Sequence, residues 1–199
     1  MPFHHPAPRP AASPWGPIQT AEQLHPGIWH VTTANHGGFL LSDERQASMP
    51  PSLKRDDSIY EEDIDYALVM LAFADEFAAK GPTDTLMVRN AHDTVRNWYP
   101  DRYADFTGRP VEARDSHVLA LRDAYRQRIG RAVVVAAFGS WADWVPEGKT
   151  GVIARILTGV DQLARPSYAD GDLAALVDAA RYELRGSVIA LDELDAELC

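Results

Sequence analysis

From Ser58 to Ala79 the chain reads SIYEEDIDYALVMLAFADEFAA. Wound as a helix, it carries Tyr60, Ile64, Ala67, Leu68 and Leu71 on one face and Tyr66, Val69, Met70 and Phe73 on another. Only a narrow wedge containing Glu61 and Asp65 stays polar. A helix apolar on most sides must be surrounded, so the flanking chain has to supply partners for it. Ser58-x-x-Glu61 matches a capping box, and the pattern predicts one helix over Ile59–Ala79. Its longest apolar run, Tyr66–Ala74, is far shorter than the ~20 residues that cross a bilayer, so it reads as core and no membrane association is expected.

The partners lie on both sides. "GIWHVTT" alternates Trp29 and Val31 against Ile28, His30 and Thr32, the pattern of a half-buried strand, and "GFLLS" is its return across an "ANHGG" turn. Ser42 caps a short helix. A helix over Thr83–Trp98 places Met87, Ala91, Val95 and Trp98 on one stripe, Pro100 breaks it, and another spans Ser116–Arg128. "AVVVAAF", "WADWV" and "TGVIARIL" suggest a meander, followed by a helix over Asp172–Glu183 and a strand "GSVIAL". The expected fold is α+β: a mostly antiparallel sheet built from N- and C-terminal strands, with central helices packed on one face. The expected organisation is a disordered Pro-rich arm (1–14), a single domain (15–191) and an acidic tail (192–199).

Charge narrows the partners. The net charge is −10, and the one net-basic stretch, Arg109–Arg131, is thin, so no duplex nucleic-acid binding is expected. Cys199 is the only cysteine, which excludes an internal disulfide and fits a cytoplasmic setting. "EGKTG" lacks the upstream glycine of a phosphate-binding loop, and no HExxH, GxSxG, paired CxxC or GxGxxG is present.

Two places could carry chemistry. Glu62 and Asp63 follow the apolar stripes of the Ile59 helix. They are either first-turn acids favoured by the helix dipole or a pair facing a pocket, as metal ligands or as acid and base. His36 is either a turn residue tolerating positive φ or an imidazole that moves a proton or binds a metal. In the second reading Gly37 and Gly38 bare their backbone N–H groups to an anion or a cofactor. The sequence identifies neither the metal nor the cofactor.

The stretches "SPWGP", "GIWHVTTANHGGFLLSDERQASMP", "YEEDIDYALV", "TVRNWYPDRY" and "WADWVPEG" together resemble a bacterial domain family of unknown function found on plasmids, phages and other mobile elements. Ile64 and Tyr66 stand where that pattern usually has Cys and Trp, so a mechanism needing a thiol beside the acids is not expected. The resemblance implies a small acidic cytoplasmic accessory protein that binds a host macromolecule, a host protein above all, against a host defence system. The competing expectation is a small metal-assisted or acid–base hydrolase using His36 with Glu62 and Asp63.

Overall fold

The computed structural model describes residues 7–199, so residues 1–6 of the expected arm lie outside the described residues. The chain divides into two compact units, Met1–Val111 and Glu112–Cys199. The fold is α+β with antiparallel pairing throughout, but its strands form two sheets rather than one.

In the first unit, β1 (Thr20–His25), β2 (Ile28–Thr32), β3 (Gly37–Leu41) and β4 (Ile59–Glu61) lie in that order. Strand β4 is the main departure from expectation, because it comes from the stretch read as the start of a helix. Ile59, Tyr60 and Glu61 pair with Leu40, Phe39 and Gly38, taking the edge of β3 that a C-terminal strand would have needed. The pairing buries Tyr60 completely, with its hydroxyl donating to Gln46 and accepting from the Arg55 backbone N–H. The capping box does not form: the Ser58 carbonyl accepts from Leu41, and the Glu61 carboxylate accepts from the Asp63 N–H.

The helices of this unit are α1 (Asp43–Ser48), α2 (Tyr66–Ala72), α3 (Ala74–Ala78), α4 (Pro82–Trp98) and α5 (Pro100–Thr107). Ser42 caps α1 as expected, accepting from the Arg45 N–H. The expectation of burial on most sides holds for α2, where every residue from Ala67 to Leu71 is buried. Its neighbours in the core include Ile28, Phe39, Leu41, Val88, Ala91 and Val95.

Two buried charges tie these elements together. Arg45, 1% exposed, makes two hydrogen bonds to the Glu76 carboxylate, donates to the Pro26 carbonyl and lies over the Phe73 ring. Asp65 sits at the N-cap of α2 but does not cap it. Its carboxylate accepts from Tyr99 Oη at 2.6 Å and Arg55 Nη1 at 2.5 Å. Burial and the neighbouring Asp65 charge push the Tyr99 hydroxyl up to about 12, so it stays protonated and donates.

The second unit contains α6 (His117–Arg126), β5 (Ala132–Phe138), β6 (Lys149–Val160), β7 (Pro166–Tyr168), β8 (Leu173–Asp178), α7 (Ala179–Glu183) and β9 (Glu197–Leu198). Its sheet order is β5-β6-β8-β9, with β7 on the far part of β6. Half of the expected helix over Asp172–Glu183 is strand β8, because Ala175 and Val177 alternate into the core against β6; its last five residues are helical. "WADWV" is a run of turns rather than a strand, leaving Trp141 76% exposed while the tip of Trp144 rests on Gly151. "GSVIAL" contributes a single bridge, Ala190 to Val133. The acidic tail is held: Glu193 pairs with Arg128 and Arg131, Asp192 with Arg131, and Asp195 with Arg181. No helix among the described residues is long and apolar enough to cross a membrane.

Candidate functional site

The turn before β3 is closed by Thr33, not by glycine. Its N–H and hydroxyl donate to the His36 carbonyl, and its hydroxyl oxygen accepts from the His36 N–H at 3.2 Å. His36 does not adopt a positive φ, so the turn makes no demand that favours His or Asn there. Its ring is exposed at the end of the sheet.

Gly37 and Gly38 are buried inside β3, pairing with Thr32 and Val31, and do not form an open anion-binding loop. Both are glycine because of close approach. A Cβ on Gly37 would lie 2.7 Å from Glu62 Oε2 and 2.7 Å from the Val31 carbonyl oxygen. A Cβ on Gly38 would lie 2.2 Å from the Tyr60 carbonyl oxygen and 2.6 Å from the Trp15 ring. The Glu62 N–H donates to the Gly37 carbonyl, which continues the β3–β4 pairing by one residue. Its side chain therefore occupies the space that a Gly37 side chain would fill.

This pairing brings His36 beside the acids of β4. One donor atom each from His36, Glu61 and Glu62 lies within 4.8 Å of the other two. In a tetrahedral zinc site, ligands about 2.0–2.2 Å from the ion stand about 3.3–3.6 Å apart. Reaching that spacing would take rotation of the exposed His36 and Glu62 side chains. Of the residues singled out from sequence, His36 and Glu62 converge and Asp63 does not join them. Glu61 takes the third place; the sequence reading had assigned it to a helix cap that does not form.

Glu62 also forms part of the wall of a cavity of about 350 Å³ between the helix-facing side of the sheet and helices α2 to α4. Phe39, Met70, Phe77 and Met87 supply much of its apolar lining. An imidazole and two carboxylates around an open coordination sphere, next to an apolar hollow, can hold a divalent ion and present its remaining positions to a bound molecule.

A second histidine lies nearby in β1. His25 is packed edge-on against Phe77, with its Nδ1 3.8 Å from the Glu76 carboxylate, and its buried Nε2 has no hydrogen-bond partner. Burial, followed by the Lys80 charge, holds its pKa below 6.5. The folded state then binds fewer protons than the unfolded chain, so this contribution to stability is complete above about pH 6.5 and declines as pH falls toward the folded pKa. Glu76, held low by its hydrogen bonds from Arg45, loses its contribution further into acid. The melting temperature is therefore expected to fall between pH 7 and pH 5, and to fall less in His25→Leu; equal slopes in the two proteins would contradict this.

No curated protein and no solved structure matches the chain. The family described as "Domain of unknown function (DUF7007)" matches residues 8–129, which include the whole His36–Glu61–Glu62 cluster and the cavity beside it. That match covers more than half of the 199 residues, and the chain belongs to this family.

Proposed function

We propose that the protein is a metal-assisted hydrolase whose divalent ion is held by His36, Glu61 and Glu62. The observation that carries this reading is the mutual approach of the three donors within 4.8 Å at one end of the first sheet. The β3–β4 pairing, extended by the Glu62 N–H to the Gly37 carbonyl, fixes the backbones of Glu61 and Glu62. Three protein ligands leave a position for water, whose pKa a zinc ion lowers to about 7. Such an ion would also polarise a substrate carbonyl placed beside it, with His36, Glu61 and Glu62 as the residues that hold it. Hydrolysis at such a site would consume one water per bond cleaved, its hydroxyl going to the acyl carbon and its proton to the departing oxygen or nitrogen.

Zinc and manganese(II) are the ions to test, because imidazole suits the first and carboxylates suit the second. An ion present at 100 times its dissociation constant is expected to stabilise the fold by about 2.7 kcal/mol, read as a higher melting temperature. His36→Asn and Glu62→Gln should each lose most of this rise, while Asp63→Asn keeps it. If neither ion raises the melting temperature of the wild-type protein, the reading is wrong.

A second reading is supported by Trp141, which stands 76% exposed beside the Phe138 ring. Tryptophan is enriched at protein–protein interfaces relative to the rest of the surface. On this reading the protein is a mobile-element accessory that binds a host protein and blunts a host defence. An element carrying Trp141→Ala should then enter a restricting host as poorly as one lacking the gene, while the variant keeps its melting temperature. Entry unchanged by the substitution would remove Trp141 from any such role.

A further inference from the structure

The cavity is separate from the ion's ligands except at Glu62, and its shape and lining narrow what the site accepts. Phe39, Met70 and Phe77 are almost fully buried at its base, whereas Met87, 43% exposed, lies at its rim. Phe39 and Phe77 lie nearly parallel, with ring centres 6.3 Å apart, and both line the cavity. The two methionines are flexible side chains that adapt to a slender apolar guest. Its volume of about 350 Å³ is near the lower end for ligand pockets, roughly 300–1,000 Å³, so a small guest fills it.

The charged residues along the wall argue against an acidic tail. Two carboxylates, Glu62 and Asp84, contribute to it against the single ammonium of Lys80, whose Nζ donates to the Leu24 carbonyl at 2.6 Å, and the His30 imidazole also lines it. A neutral apolar chain meets no such obstacle.

We propose that this cavity is the acyl pocket of the site, taking the unbranched apolar chain of a neutral ester or amide whose carbonyl lies beside Glu62. The substrate class rests on the metal-assisted reading above; the affinity of the cavity for an acyl chain does not. Each methylene moved from water into the cavity strengthens binding about fourfold until the chain outgrows the space. In the catalysed reaction water adds across the acyl bond, giving the carboxylic acid and an alcohol or amine.

The two claims separate in one set of measurements. N-methyl alkanamides of increasing chain length are titrated calorimetrically into metal-free protein, and matched p-nitrophenyl esters are assayed with zinc or manganese(II) added. The expected result is affinity rising about fourfold per methylene and then levelling, with the ester kcat/KM following the same ladder. Met87→Trp, which narrows the rim without touching a metal ligand, should lower affinity for the longest amides at least tenfold and leave the metal-induced rise in melting temperature intact. A ladder in the amides without turnover of any ester supports the acyl pocket and overturns the hydrolase. Binding that does not depend on chain length, or is unchanged in Met87→Trp, overturns the pocket even if esters of every length are cleaved.

Discussion

Glu76→Ala is expected to be the most damaging single change in the first unit, at about 3–5 kcal/mol. Arg45 is 1% exposed, and the substitution leaves its guanidinium in the core without the carboxylate that receives two of its hydrogen bonds. Glu76 is itself partly exposed, so the cost arises on the arginine side. The double variant Arg45→Met with Glu76→Ala should recover much of the loss, because an apolar side chain of similar length needs no counter-charge. Urea unfolding of the two single variants and the double variant checks this. A double variant no more stable than Glu76→Ala would show that Arg45 contributes mainly through the Pro26 carbonyl and the Phe73 ring.

Gly38→Ala should follow closely, at about 3 kcal/mol or more. The added Cβ would meet the Tyr60 carbonyl oxygen at 2.2 Å, and that atom belongs to the backbone of the neighbouring strand and cannot rotate away. Relief requires β3 and β4 to separate where they set the positions of Glu61 and Glu62. Gly37→Ala also meets a backbone oxygen, that of Val31, but its other neighbour is the Glu62 carboxylate, which can move. It is expected to cost less stability than Gly38→Ala and to weaken metal binding disproportionately. Melting curves with and without zinc, recorded for both variants, distinguish the two effects.

Local signals in the sequence were reliable where the element is decided locally. Ser42 caps α1, Pro100 ends one helix and begins the next, and α4 starts within a residue of where its periodicity places it. The errors arose where a partner far along the chain decides. Ile59-Tyr60-Glu61 looks helical beside the run that follows, yet the open edge of β3 takes it as a strand. Likewise Leu173–Val177 fits a helical stripe or a strand, and β6 selects the strand.

The candidate site was legible to the same extent. His36 stood out as an imidazole beside paired glycines, and Glu62 as an acid beside an apolar run. Glu61 was missed because a local motif offered it another role. Asp63 was included because a helix would have turned it inward; after a strand ending at Glu61 it is left exposed. Asp65 and Tyr99, at the centre of a buried network, show only as a lone acid in an apolar segment and an aromatic before a proline.

Arg45 and Glu76 are separated by 31 positions in the chain. A nascent chain that has just completed α1 already carries the guanidinium but not the carboxylate that will meet it. Closing α1 over the sheet at that stage would strand a cation in apolar surroundings, which is strongly unfavourable. The early hairpins therefore stay provisional until α3 has been synthesised, and the first unit locks in one late, cooperative step rather than strand by strand. Truncations ending before Glu76 should accordingly expose their amides to rapid hydrogen exchange throughout β1 to β3, whereas those extending past α5 protect the whole sheet together.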